Sequence, residues 1–213
     1  MPVNDALLHG PFYGNFYVRL IGAVGFAYLM GSIAFGPLFA WLFAGLDERL
    51  RSLASGLAPA FNVVKAFIPV VIAAHGGGSL IGLCAAAAAI AGHCYCPWLR
   101  WQGGDGGDVQ LGVLAALCWP AALAFAALWL AAAISSNYAA VGTLAATIFT
   151  IVSLWFFVGV AGAIYGVVVM LAIAFRHREH FLRFEQGIEP SMRAPQRIEL
   201  SIVRLNGQPV ESF

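Results

Sequence analysis

The residues best suited to chemistry in this sequence lie in one glycine-rich stretch between two apolar segments. Residues 92–108 contain five glycines, a histidine and two carboxylates, Asp105 and Asp108. Backbone freed from a helix at membrane depth must find partners in protein or in a water-filled cavity. Such an interruption usually marks a functional site. The stretch is therefore the predicted functional region.

Metal binding is the first chemistry to consider there. His93, Cys94 and Cys96 offer three soft ligands. Zinc sites normally use wider spacings and a fourth ligand or water, so a packing cluster at a helix end is favoured and no metal or cofactor is predicted. The cysteines lie within or at the edge of apolar segments, which argues against a disulfide framework; they are Cys84, Cys94, Cys96 and Cys118.

The composition indicates that this region is positioned by membrane helices. Hydrophobic residues make up 61% and charged residues 10% of the 213 residues, against about 25% charged in a soluble domain. The sequence therefore predicts an all-α, polytopic membrane protein. A net charge of +1, without basic residues interleaved with aromatics, argues against a nucleic-acid partner. The first 15 residues lack the features of a cleaved signal peptide, so the first span is expected to insert as it stands.

Apolar runs predict five to seven spans. Residues 16–44 form the first span. This span is expected to bend, or to let another helix approach closely, at its small residues and proline, which are Gly31, Ser32, Gly36 and Pro37. The next two spans are 57–74 and 79–94, joined by a turn at 75–78. The run 109–134 is broken at Trp119 and Pro120, and the run 139–175 must fold back within 157–162. An N-terminal extension (1–15), a transmembrane domain (16–178) and a C-terminal tail (179–213) are the predicted divisions.

Arginine placement predicts the orientation. With an odd number of spans nine of the arginines share one face, which is expected to be cytoplasmic; they are Arg49, Arg51, Arg100, Arg176, Arg178, Arg183, Arg193, Arg197 and Arg204. The turn at 75–78 carries none. We therefore expect the N-terminus outside and the C-terminus in the cytoplasm. A short alternating run at 198–205 in the tail is read as a strand or an ordered arm.

Four segments, in order, resemble the bacterial acyl-phosphate glycerol-3-phosphate acyltransferases, the PlsY family of inner-membrane enzymes. They are residues 27–36, 62–70, 92–112 and 175–190. The resemblance implies a PlsY-like fold in the bacterial cytoplasmic membrane. It also implies transfer of an acyl group from acyl phosphate to the 1-hydroxyl of glycerol 3-phosphate. Both substrates carry phosphate, so main-chain N–H groups and cationic side chains are needed to hold them.

Several positions keep the family pattern and are the candidates for substrate or lipid binding. They are Lys65, His93, Gly103, Gly104, Gly106, Tyr138, Arg176, His177 and Arg178. A lysine inside an apolar span is expensive unless it snorkels or pairs, so Lys65 is expected to contact a polar cavity, with Asp47, Asp105 or Asp108 as candidate partners. Arg176 and Arg178 are equally explained by topology and contact with lipid headgroups. His93 is also compatible with a hydrogen-bonding role at a helix end.

Other positions depart from the family pattern. Gln102 and Asp105 stand in place of two family lysines, Val109 in place of a threonine and His180 in place of an asparagine. The family's serine- and asparagine-rich loop after the first span has no clear counterpart. Carboxylates close to a substrate dianion can cost several kcal/mol in a partly buried site.

These departures favour a non-catalytic, PlsY-like accessory or structural subunit of a membrane complex, able to bind lipid and without a catalytic residue. The alternative is an active acyltransferase of the family's type. A small transporter with the loop as a re-entrant segment is a third possibility, weakened by the lack of an internal repeat.

Two tryptophans next to Arg100 are candidates for an interface. Trp98 and Trp101 flank Leu99 and Arg100, and amphipathic aromatics suit both membrane anchoring and protein contacts. Many further aromatics lie in the apolar runs. We therefore expect membrane lipids and other membrane subunits as partners, in a stable hetero-oligomer.

Overall fold

The computed structural model describes residues 11–45 and 47–178, and this part of the chain is mainly helical, without a strand. The all-α prediction is confirmed. The elements in chain order are α1 (Pro11–Ser32), α2 (Phe35–Leu42), α3 (Glu48–Cys94), a 3-10 turn (Pro97–Leu99), α4 (Gly107–Leu117), α5 (Trp119–Ser136), α6 (Ala139–Val158) and α7 (Val160–Arg176). The first helix thus begins at residue 11, ahead of the expected residue 16. The predicted tail, with its alternating run, lies outside the described residues.

Glycine and proline divide the helices where the sequence predicted breaks. The axis bends by 43° between α1 and α2, as expected for the first span. Gly78, at φ 83° and ψ 178°, breaks α3 into two arms, 48–77 and 79–94. Cys118 separates α4 from α5 just before Pro120. Gly159, at φ 84°, separates α6 from α7, within the predicted fold-back. Positive φ favours glycine at both turns.

The helices suit a membrane. Three segments, Gly56–Leu99, Trp119–Ser136 and Ala139–Val158, are long and apolar enough to span it, and α1 with α2 makes a fourth as a bent pair. α4 and α7 are shorter apolar helices. The described part of the chain has seven apolar helical segments if α1 and α2 are counted as one segment and the two arms of α3 are counted as two. Large apolar side chains are exposed along them, as on a lipid-facing surface.

Small residues allow α1 to pack closely against the second arm of α3. A Cβ atom added to Gly31 would lie 2.2 Å from the carbonyl oxygen of Ala89, and one added to Gly92 would lie 2.2 Å from that of Tyr28. Close approach through small residues is the usual way that membrane helices pack. The contact aligns the end of α1 with the end of α3, which brings Ile33 and His93 to the same end of the bundle.

Candidate functional site

The glycine-rich loop folds back onto the end of α3. The N–H groups of Gly103 and Gly104 donate to the carbonyl oxygens of Cys94 and His93, both at 3.1 Å. Arg100 and Trp101 adopt left-handed conformations, with φ of 53° and 66°, which reverse the chain before these bonds form. The loop is therefore held on the helix end by its own main chain.

A connected row of polar side chains lies under this loop. The Lys65 ammonium donates to the carbonyl oxygen of Ile33 and lies 3.1 Å from Nδ1 of His93. Nε2 of His93 lies 3.6 Å from Oδ1 of Asp108. Asn62 Nδ2 donates to Oδ2 of the same carboxylate at 2.6 Å. The two arms of α3, the bend after α1 and the first turn of α4 thus meet in one polar row.

The contacts of Lys65 differ from the prediction in part. The side chain is only 2% exposed, and it does reach a polar site. Its hydrogen-bonding partners among the described residues are a carbonyl oxygen and an imidazole, rather than the carboxylate that the sequence favoured. The end of α1 supplies the carbonyl, because the bend after Ser32 leaves Ile33 outside a regular helix. Such an open carbonyl accepts the ammonium without competing with a helical hydrogen bond.

The lysine also sets the tautomer of His93. An ammonium group donates only, so Nδ1 of His93 accepts and Nε2 carries the ring proton in the neutral imidazole. That proton points towards Asp108. Oδ1 of Asp108, the oxygen that faces His93, also accepts the N–H of Val109 at 2.8 Å. The row is therefore directional, from the ammonium through the imidazole to the carboxylate.

Arg176 ties the last described helix to the loop. Its guanidinium donates to the carbonyl oxygens of both Gly104, at 3.3 Å, and Gly103. Glycine is needed beneath it, because a Cβ atom on Gly103 would lie 1.8 Å from the carbonyl oxygen of His93 and one on Gly104 would lie 2.2 Å from Nε2 of His93. Gly106, at φ 90°, starts α4 and packs on Cys94. The loop is thus clamped from two sides.

Two cavities open beside the row and share a wall. A polar cavity of about 320 Å³ lies between the bend after α1 and the loop, and its lining includes Asn62, His93, Gly104, Asp105 and Asp108. A more apolar groove of about 380 Å³ lies between α3, α4, α5 and α6. It is lined by Pro59, Ala60, Val63, Asp105, Gly107, Asp108, Leu111, Phe125, Ala126, Trp129 and Thr143. Asp105 and Asp108 face both spaces.

The structure brings some predicted residues together and leaves others apart. Lys65, His93, Gly103, Gly104 and Arg176 meet at the row and the loop, with Gly106 beside them. Three others line neither cavity. Tyr138 precedes α6, the buried His177 follows α7 with Nδ1 2.9 Å from the carbonyl oxygen of Ile173, and Arg178 stacks over Phe175 at 4.5 Å.

The two tryptophans are exposed at the loop. Trp98 and Trp101 are 69% and 61% exposed. Trp98 nevertheless donates from Nε1 to Oγ of Ser32 at 3.0 Å, which ties the 3-10 turn to the end of α1. Their role as an interface remains a prediction.

Asn62 and the pairing of Asp108 with His93 were missed in the sequence analysis. Asn62 lies one helical turn before Lys65, and residues three apart share a face of a helix. That spacing could have marked Asn62 as a second polar group in the same cavity. The partners of Asp108 carry no such signal, because Asn62 is 46 positions away and His93 lies on the other side of the loop.

Comparisons with known proteins match most of the chain. The family described as glycerol-3-phosphate acyltransferase matches residues 50–187. A protein of that name from Rhodopseudomonas palustris (strain HaA2) is 36% identical over 186 residues, covering 79% of this chain and 93% of the relative. Another from Brucella anthropi is 33% identical, covering 85% of this chain and 97% of the relative.

Solved structures give the same result. The crystal structure of PlsY (YgiH), an integral membrane glycerol 3-phosphate acyltransferase, in its glycerol 3-phosphate form has a TM-score of 0.72 and 29% identity, over 85% of this chain and 98% of that one. The lysophosphatidic acid form has a TM-score of 0.71 and 29% identity, over 81% and 94%. The PlsY-like membrane fold is therefore confirmed.

The same findings overturn the leading functional prediction. A non-catalytic accessory subunit was favoured because Gln102 and Asp105 stand in place of two family lysines and the serine- and asparagine-rich loop has no clear counterpart. Relatives named as acyltransferases, at 34–37% identity over nearly their whole length, support the active alternative instead. The prediction was wrong because it took the departures in the loop and the missing serine- and asparagine-rich segment as a loss of chemistry, whereas the fold brings Lys65, His93 and Arg176 together at the loop.

Proposed function

The chain belongs to the glycerol-3-phosphate acyltransferase family, and from that premise we propose that it transfers an acyl group from acyl phosphate to the 1-hydroxyl of glycerol 3-phosphate. The hydroxyl oxygen forms a bond to the acyl carbon. The bond from that carbon to the phosphate oxygen breaks, and the hydroxyl proton leaves with the phosphate. The products are 1-acyl-glycerol 3-phosphate and inorganic phosphate.

The shared wall of the two cavities supports this proposal most strongly. An acyl phosphate has an apolar tail and a charged head, and the acceptor is small and charged. An apolar groove for the tail and a polar cavity for the acceptor meet at Asp105 and Asp108. The reacting carbonyl would lie at their junction. Holding both substrates there supplies the proximity on which an acyl transfer between two bound molecules depends.

The chain's own groups have distinct parts in this proposal. His93 lines the polar cavity, and its Nε2 proton is available to a substrate oxygen as well as to Asp108. Lys65 acts through His93, whose orientation it fixes. Arg176 acts through the loop, since its guanidinium is bonded to loop carbonyls. We treat Lys65 and Arg176 as positioning residues, and both add positive charge near a site that receives phosphate.

The proposal includes a location. We propose the bacterial cytoplasmic membrane, with the polar cavity at the cytoplasmic face where water-soluble glycerol 3-phosphate is found. The arginine distribution supports a cytoplasmic C-terminus and an external N-terminus. Membrane lipids surround the exposed apolar helices in this arrangement.

Filling the apolar groove tests where the acyl chain binds. Ala126 lines the groove from α5, so Ala126→Trp should obstruct a long chain and leave a short one room. We expect KM for hexadecanoyl phosphate to rise by about tenfold or more, because the lost apolar contact equals at least about one buried apolar side chain. The KM for butanoyl phosphate should change little. The measurement is steady-state transfer to glycerol 3-phosphate by purified protein.

A matched control sits at the next residue. Ala127 is exposed and does not line the groove, so Ala127→Trp should leave both donors unaffected. Equal effects of the two tryptophans, or an Ala126→Trp defect that ignores chain length, would place the acyl chain elsewhere.

A further inference from the structure

We propose that Asp105 and Asp108 bind a divalent cation of the Mg²⁺ class, which holds the phosphate group of a substrate in the polar cavity. The inference rests on the proposed function only in taking a phosphate compound as the substrate. It assigns a role to the two carboxylates that would otherwise repel that substrate.

The first observation is the geometry of the ligand atoms. One ligand atom each from His93, Asp105 and Asp108 lie within 4.8 Å of one another. Two carboxylate oxygens at this separation can contact one ion of about 2.1 Å metal–oxygen distance after small side-chain adjustments. Both carboxylates line the polar cavity, so the ion would be open to a ligand arriving there.

The second observation is an unpartnered oxygen in the same cavity wall. Asn62 is 8% exposed, and its Oδ1 is buried without a hydrogen-bond partner, although its Nδ2 is bonded to Asp108. A buried amide oxygen left without a partner costs about 1–3 kcal/mol. An amide oxygen beside a carboxylate is a regular ligand of hard cations. A half-turn of the amide would exchange Oδ1 with the Nδ2 that now contacts Asp108, and a cation held by that carboxylate would then have the oxygen as a ligand.

The charge balance of the cavity points the same way. The charged side chains that line it are Asp105 and Asp108, among the described residues. Lys65 and Arg176 lie behind the wall and already donate to Ile33, His93 and the loop carbonyls. A phosphate dianion beside two carboxylates is unfavourable. A divalent cation between them reverses the sign of the local charge and bridges to phosphate oxygen.

The ligand chemistry selects the class of ion. Mg²⁺ is typically bound by one or two carboxylates, several waters and a substrate phosphate, without a full protein cage. The arrangement here offers two carboxylates and one amide oxygen. His93 keeps its Nε2 proton because Lys65 donates to Nδ1, so it serves as a hydrogen-bond donor and the ion is held by oxygen atoms. This favours Mg²⁺ or Mn²⁺ over zinc.

The direct test measures Mn²⁺ binding to the purified full-length protein. Binding is detected as the loss of the six-line electron paramagnetic resonance signal of free Mn²⁺. We expect about one bound ion per chain, bound more tightly when glycerol 3-phosphate is present, because a phosphate attracted to the ion strengthens ion binding by the same factor as the ion strengthens phosphate binding. The isosteric double variant Asp105→Asn with Asp108→Asn should weaken binding by at least about tenfold, because metal sites depend on ligand charge. Asp47→Asn, which changes an exposed carboxylate away from the cavity, is the matched control and should bind as the unaltered chain does.

A milder variant protects the test from a folding defect. Asn62→Leu removes the amide oxygen and leaves both carboxylates, so it should weaken Mn²⁺ binding while the double variant nearly abolishes it. Equal Mn²⁺ binding by the unaltered protein and the double variant, or no binding by the unaltered protein, would overturn the inference.

Acyl transfer separates this inference from the proposed function. Transfer that survives EDTA, in a protein that binds no Mn²⁺, would retain the acyltransferase and reject the cation. Stoichiometric Mn²⁺ binding without any transfer in the presence of Mg²⁺ would retain the cation and reject the acyltransferase. Transfer that is lost with EDTA and restored by Mg²⁺ supports both.

Discussion

Replacing Arg176 by methionine is expected to lower kcat/KM for acyl transfer by about 100-fold, because a misplacement of about 1 Å in a reacting group can cost that much. The guanidinium holds the carbonyl oxygens of Gly103 and Gly104, and methionine fills similar space without a donor. The loop next to His93 would then lose its anchor to α7. The measurement is steady-state transfer by purified protein, with thermal unfolding recorded in parallel.

Arg19 provides a matched control at the other end of the bundle. Its Nη1 donates to the carbonyl oxygen of Gly76 at 3.2 Å, which is also a contact between an arginine and a glycine carbonyl. Arg19→Met should therefore have a small effect on unfolding and leave kcat/KM within about twofold, as is usual for exposed sites. If the two variants had the same activity, the loop clamp would have no part in catalysis.

Replacing Gly103 by alanine is expected to have the second large effect. The added Cβ would lie 1.8 Å from the carbonyl oxygen of His93. That oxygen belongs to the main chain and accepts the N–H of Gly104, so the loop has to move. We expect a loss of about 1–3 kcal/mol in the free energy of unfolding, the usual cost of overpacking, and a loss of most acyl transfer.

Gly25 is the control for this substitution. Gly25 is an exposed residue of α1, and no atom lies within 4 Å of a Cβ atom added to it. Gly25→Ala should stabilise the helix by about 0.5–1 kcal/mol, since alanine is the better helix former. Acyl transfer should be unchanged. An active, stable Gly103→Ala protein would contradict the described packing of the loop on α3.

Local features of the fold could be predicted from the sequence because they depend on local chemistry. Proline at position 120 cannot continue a helix without a break, and the break lies at Cys118. Apolar runs longer than one crossing require a reversal, and Gly159 provides one. The turn near residue 78 was placed correctly as well. The bend between α1 and α2 followed from glycine and proline near residues 31–37.

The arrangement of the site depended on contacts between distant helices. The row from Lys65 through His93 to Asp108 joins residues 28 and 15 positions apart, and the register that aligns them depends on how the two arms of α3 and α4 pack together. No local pattern encodes that register. The sequence therefore singled out the loop and Lys65 as candidates, but it did not assign the partners of Lys65 that the structure shows.

The functional misjudgement has the same origin. Asp105 in place of a lysine suggested a site hostile to phosphate, because the spatial relation of the loop to Lys65, Arg176 and Asn62 was unknown. In the fold, Asn62 donates to Asp108, while Lys65 and Arg176 hold His93 and the loop beside the carboxylates. The net charge of a site is the sum of the charges on all the helices that meet there. A carboxylate in the site can bind a cation, and it does not only repel phosphate.

Turnover by the unaltered protein tests the central claim most directly. Purified protein in lipid vesicles would be supplied with hexadecanoyl phosphate, glycerol 3-phosphate and Mg²⁺, with both products measured by mass spectrometry and phosphate release. The account predicts equimolar 1-acyl-glycerol 3-phosphate and phosphate, at a rate about 100-fold above that of Arg176→Met. Folded protein that forms the product no faster than protein-free vesicles would contradict it.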